Sequence, residues 1–202
     1  MQRRHLIKVA VTSGLAATTG AGWLSWRRKT TPTDVAIDDI CIFAPTFAYD
    51  SASGVAPTAA REVPNEARCP VCGMFPARNR RWAAQVIFSG GAVQYLDSPL
   101  SLFHYLRRVG HYTPGRAAAD IVAVYVSDQI TGQWLDADQA IYVHGSTLLG
   151  PMRAGNLPAY GAESDARALV SSRGGELMSA NELRQSLPLE LQKLAPHGHL
   201  GT

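Results

Sequence analysis

The chain has 202 residues, 46% apolar and 17% charged, which excludes an intrinsically disordered protein and leaves room for one or two small domains. Three cysteines are too few for a disulfide-dense scaffold. The net charge of +3 is unevenly placed: residues 1–29 carry six basic and no acidic side chains, so residues 30–202 hold 13 basic against 16 acidic ones and have no electrostatic footprint for nucleic acid.

In chain order, Arg3-Arg4 precede Leu6-Ile7-Lys8, and Val9 to Trp26 then run without a charge. This reads as an export signal of twin-arginine type over residues 1–29. Arg27-Arg28-Lys29 follow the apolar run directly, which makes residues 9–26 a candidate membrane anchor. Residues 30–68, rich in Pro, Ser, Ala and Gly, read as a linker. The organised body is expected to begin at Cys69. Trp82–Phe88 predicts a strand, Ser89-Gly90-Gly91 a turn and Ala92–Leu96 a second strand. Ser98 and Pro99 suit the cap and first position of a helix. Leu102, Phe103, Leu106 and Val109 follow helical spacing, and Gly110 is expected to stop it.

A second unit is read from Asp120–Val126, Gln133–Leu135 and Ala140–His144 as strands. Ala162–Ser172 follows as a helix stopped by Gly174-Gly175. Ser179 to Glu182 is a capping-box pattern opening a short helix that ends at Pro188, and residues 188–202 read as a frayed tail. The expected fold class is α+β, with two tandem β-β-α units after the signal and linker.

The chemistry concentrates in Cys69-Pro70-Val71-Cys72-Gly73-Met74. Two thiols three positions apart can reach one metal ion or bond to each other. Gly73 permits a left-handed turn that can return Met74 toward them. Thiolate and thioether are soft ligands that favour Cu(I). A redox dithiol and a structural disulfide are the competing readings of the same pair. A four-cysteine zinc site is excluded within one chain, because Cys41 is the sole further cysteine. Taken alone, Met152 after Gly150-Pro151 reads as gap-filling in the core, and Met178 as core in a strand. His104 reads as a satisfied polar residue, His144 as a somewhat better ligand candidate, and His197 and His199 as a loose tail. Asp97, Asp136 and Asp138 fall at strand ends, where capping and turn roles explain them. The sequence has no nucleophile elbow, P-loop or dinucleotide fingerprint, and no enzyme is read from it.

The string CPVCGM at 69–74 begins a longer resemblance. YLDSPLSLFHYL at 95–106, DADQAIYVHG at 136–145 and the stretch from Gly150 to Leu183 continue it in order. Over residues 69–187 the chain resembles the NosL family, accessory proteins of nitrous oxide reductase. The hexapeptide alone also resembles the YHS metal-binding module, but no further cysteine follows Cys72. The NosL resemblance implies a periplasmic Cu(I) metallochaperone that is not an enzyme. It implies delivery to apo nitrous oxide reductase with help from a membrane-associated maturation complex. It makes Cys72 and Met74 the foremost ligand candidates, with Cys69 beside them, and turns Met152 into a candidate as well. Family members are commonly lipoproteins. Here Cys41 follows Asp38-Asp39-Ile40, which is no lipobox, so lipid attachment is not expected and residues 9–26 remain the candidate anchor at the inner membrane. The alternative function is a periplasmic thiol-disulfide oxidoreductase using Cys69 and Cys72.

Overall fold

A computed structural model describes residues 44–153 and 156–193. The export signal, Cys41, His197 and His199 lie outside the described residues. Among those described, no helix is long and apolar enough to cross a membrane.

Among the described residues, seven strands form two antiparallel sheets. The strands are β1 (Ala84–Phe88), β2 (Val93–Leu96), β3 (Ile121–Ser127), β4 (Trp134–Asp136), β5 (Ile141–His144), β6 (Ala159–Tyr160) and β7 (Glu176–Ser179). The first sheet has the order β2-β1-β3-β4 and the second β6-β5-β7. The helices are α1 (Pro99–Arg107), α2 (Val109–Tyr112), α3 (Glu163–Arg173), α4 (Ala180–Gln185) and α5 (Leu189–Gln192). This is the expected α+β class.

The repeat is present with a different boundary. β3, expected to open the second unit, pairs antiparallel with β1 along its length, Ala84 opposite Val126 and Val86 opposite Val124. The first unit is therefore β1-β2-α1-β3, with the hairpin partner and the returning strand on either side of β1. The second, β5-β6-α3-β7, places its strands in the same way around β5. β4 extends the first sheet, pairing Ser127 with Trp134. A parallel bridge from Asp128 to Ala159 joins the two sheets, and the Asp128 carboxylate accepts the Gly161 N–H at 2.7 Å.

Local signals account for the helix ends. Ser98 caps α1, its hydroxyl accepting the Ser101 N–H at 3.2 Å, with Pro99 in the first turn. The helix breaks at Arg108 (φ −145°, ψ 48°), two residues before the expected stop, and Gly110 falls inside the short α2. At α4 the capping box closes both ways: the Ser179 N–H donates to Glu182 Oε2 at 2.7 Å and the Glu182 N–H to Ser179 Oγ at 3.3 Å. Gly175, at φ +98°, passes so close to the chain that a Cβ there would stand 2.4 Å from the His144 carbonyl oxygen. Only glycine fits this crossing.

Both faces of β1 are covered, which is why all five of its residues are buried. One face packs into the main core with Leu102 and Phe103 of α1 and Leu183 of α4. Phe103 meets Tyr142 of β5 edge-to-face at 5.2 Å, tying the two units together. The other face is covered by the segment expected to be a linker. Phe47 pairs with Val93 through two backbone hydrogen bonds, Val63 and Ala67 are buried against Ile87 and Tyr95, and the Gln85 amide exchanges two 3.0 Å hydrogen bonds with the Arg61 backbone. The packed body thus begins well before Cys69. Its signal was hidden because single apolar residues among prolines show no period, yet each one fills a place on the sheet. The end also differs from expectation: Leu191 of α5 is 2% exposed, and its carbonyl accepts the His104 Nε2–H at 3.0 Å.

Candidate metal centre

The loop 69–74 closes on itself. The Gly73 N–H donates to the Cys69 carbonyl and the Cys69 N–H to the Met74 carbonyl, each at 2.8 Å, and Gly73 takes φ +75°. An L side chain at Gly73 would strain this turn. Buried Cys69 and Val71 anchor the loop in the core, while Cys72 and Met74 are half-buried. Both thiols are free.

The second wall of the site is the junction between β2 and α1. Because Ser98 takes the helix cap, Asp97 is left to face the thiols. Its carboxylate Oδ1 accepts the Cys72 S–H at 3.1 Å, and Ser101 Oγ stands 4.0 Å from Cys72 Sγ. The sulfurs of Cys69 and Cys72 and a carboxylate oxygen of Asp97 all lie within 4.8 Å of one another. Asp97 is only 2% exposed, and its Oδ2 finds no hydrogen-bond partner among the described residues. An unpaired buried carboxylate oxygen is costly, and a bound cation would offset that cost. The Cys69 thiol is pushed well above its ordinary pKa, first by burial, then by its hydrogen bond to Cys72 and the negative Asp97, against one opposing bond from the Asp97 backbone N–H. The site therefore holds a proton until a metal displaces it.

Met74 lines a cleft of about 240 Å³ with Gly73, Phe75, Arg78, Asp97 and Pro151. Pro151 belongs to the turn between β5 and β6, so the second unit lines one side of the mouth of a site built on the first. Met152, next in that turn, packs half-buried against the same core cluster as Cys72. Cys69 and Cys72 are thus brought together with Asp97, Met74 lines the adjoining cleft that Asp97 shares, and Met152 packs on the core without lining that cleft.

The other candidates lie outside this cluster. His144 has Glu176 at 3.4 Å from Nδ1 and Glu190 at 3.3 Å from Nε2, one carboxylate on each ring nitrogen. His104 is the satisfied residue expected, and burial lowers its pKa. Asp136 accepts the Asp138 N–H at 2.8 Å in a turn, and Asp138 pairs with Arg184 at 2.6 Å. Met178 packs on the core. Asp97 is the site residue that sequence reasoning assigned elsewhere. The available signal was that Asp97-Ser98-Pro99 offers two capping side chains for one helix, so one of them is free for other work.

The NosL family pattern matches residues 60–188, more than half of the chain. The chain belongs to the NosL family. It is 29% identical over 141 residues to the copper-binding lipoprotein NosL of Stutzerimonas stutzeri, covering 66% of this chain and 68% of that protein. Its fold matches the crystal structure of the copper chaperone NosL from Shewanella denitrificans with a TM-score of 0.52 at 22% identity, over 63% of this chain and 96% of that one. The matched region contains the Cys69–Met74 loop, Asp97 and the 148–153 turn, so the NosL pattern spans both walls of the cleft.

Proposed function

We propose that this chain is a periplasmic Cu(I) metallochaperone that delivers copper for the maturation of nitrous oxide reductase. The observation that carries the proposal is the convergence of Cys69, Cys72 and Asp97 beneath a cleft lined by Met74. Thiolate and thioether donors suit Cu(I) over harder cations. The protein's own groups bind the cargo and do not transform it. Cys69 and Cys72 supply thiolates as their protons leave. Asp97, already the acceptor of the Cys72 S–H, holds that sulfur in place and balances the incoming positive charge. Met74, and Met152 from the facing turn, supply thioethers on the open side, where a receiving ligand can enter. A site open on one side can pass its metal on, whereas a closed cage would retain it. The names of the NosL relatives, copper-binding and copper chaperone, agree with this reading.

The thiol-disulfide oxidoreductase alternative has less support. An attacking thiol works through a lowered pKa, and burial beside Asp97 drives Cys69 the other way. The deciding experiment is a metal titration of the reduced chain, read by mass and by a Cu(I) competition probe. One Cu(I) bound in preference to Zn(II) is expected. Zinc retained against a Cu(I) buffer would overturn the assignment, since two thiolates and a carboxylate also make an acceptable zinc site.

A further inference from the structure

The acidic balance of residues 30–202 conceals a local reversal. Residues 68–81 contain Arg68, Arg78, Arg80 and Arg81 and no acid. This is the stretch that carries the thiols and leads into β1. Arg80 is paired with Glu62 at 3.0 Å, and Arg81 donates to the Gln129 carbonyl at 3.0 Å. Arg68 and Arg78 are different. Both are exposed, and their guanidinium carbons lie 4.3 and 4.8 Å from the centroid of the Phe75 ring. Neither has a carboxylate partner among the described residues. Phe75 thus fixes two uncompensated cations at the mouth of the cleft, where Arg78 is itself a lining residue. On the opposite wall, the turn through Pro151 adds an exposed Arg153, with φ 56°, and Leu149 at 61% exposure.

Holding like charges together beside a site meant for a cation is unfavourable unless something negative meets them. We propose that this arginine rim is the docking face for the protein that receives the metal, and that the matching surface of that protein is acidic. The inference rests on the delivery reading above. Complementary charge would speed the encounter and align the two metal mouths. Guanidiniums held in place by stacking lose less freedom on binding carboxylates than free lysines would. An anionic membrane surface is the less fitting occupant, because the aromatic ring that would insert is half-buried and stacked with both arginines.

The test uses the reduced full chain with a photoreactive group at position 79, which lines the cleft, or at position 173, on α3. The probe is an oligoglutamate peptide. Crosslinking from position 79 is expected to exceed that from 173, and to fall at about 0.15 M salt, where the Debye length is about 8 Å. Arg68→Ala with Arg78→Ala should reduce the position-79 yield by about fivefold, while Arg173→Ala should leave it unchanged. The charge-reversed pair Arg68→Glu and Arg78→Glu should crosslink to oligolysine instead. Equal yields from the two positions, or a yield indifferent to the double substitution, would overturn the proposal. So would tighter binding to anionic phospholipid vesicles than to the peptide, lost in the same double variant, since that would assign the rim to a membrane. Cu(I) binding is measured in parallel. Rim-dependent crosslinking in a chain that fails to bind Cu(I) would sink the delivery reading and leave an acidic-protein docking face standing.

Discussion

The two cysteines occupy different environments, and replacing each by serine should separate folding from metal binding. Cys69 is fully buried, and its sulfur lies within 4.8 Å of the Cys72 sulfur and an Asp97 carboxylate oxygen. A hydroxyl in its place would be incompletely satisfied, so Cys69→Ser should destabilise the unloaded protein by about 1–2 kcal/mol. For a chain of this size each kcal/mol lowers the thermal midpoint by about 2–4 °C. Cys72 is half-buried and donates to Asp97 at 3.1 Å, a bond that a serine O–H can remake. Cys72→Ser should therefore cost less than about 0.5 kcal/mol. Cu(I) affinity should show the reverse order. Part of any Cys69–metal bond is consumed in removing a proton that burial and Asp97 hold, at about 1.4 kcal/mol for each unit of raised pKa. Cys72 is half-buried and lies next to Gly73-Met74, where its sulfur can share a metal with the thioether. Cys72→Ser should lose about 100-fold or more in affinity, about 2.7 kcal/mol, and Cys69→Ser distinctly less. Melting of the reduced, unloaded variants and competition with a chromophoric Cu(I) chelator would measure both. One variant being worse in both assays, or equal losses of affinity, would refute the reasoning and point to a symmetric dithiol.

Met152→Leu should change the unloaded protein by less than about 1.5 kcal/mol, because volume and apolar character are kept, yet reduce the thermal shift produced by Cu(I); an intact shift would restrict the site to the Cys69–Met74 loop. Alkaline pH should destabilise the unloaded protein. Burial first of all raises Cys69 above 9.0, Tyr95 and Tyr105 to about 12, and Tyr112, Tyr142 and Tyr160 above 10.0. The folded state thus keeps protons that the unfolded chain releases, so stability is full below about pH 9 and declines above it; a midpoint flat from pH 8 to about pH 11 would contradict this assignment. A reporter active only after folded export should be exported by residues 1–40 and blocked by Arg3→Lys with Arg4→Lys. Export indifferent to that pair would exclude the twin-arginine reading.

Much of the fold was legible where periodicity and punctuation coincided. The strand at 84–88, the Ser98–Pro99 start of α1 and the capping box at 179–182 fall where local chemistry places them. What escaped was decided by tertiary contact. Phe47, Val63 and Ala67 sit in no repeating pattern, but the exposed face of β1 needed covering. Two-residue β6 is too short to announce itself, and α5 is held by a core leucine and a hydrogen bond from His104. Membership of β3 could not be read either, since a run of β-branched residues does not name its neighbour. At the site, the cysteine pair was visible as spacing within one loop. Asp97 was not, because what distinguishes it is the burial of a carboxylate against sulfur 25 residues away.

The two ββαβ units share strand order but differ in where they are elaborated. The first is preceded by the long thiol-bearing loop, and its hairpin turns within residues 89–92. The second is preceded by only four residues after β4, and its hairpin opens into the stretch between His144 and Ala159. Each copy of the design has grown at a place where its twin stayed short, and the cleft lies where the two outgrowths meet. Ancestral duplication of a plain unit, followed by unequal lengthening, would suffice to produce such a site without disturbing either sheet. The same logic makes the donor set tunable: exchanging the 146–153 segment among relatives should alter what lines the mouth while leaving the cysteine loop and its supporting core as they are.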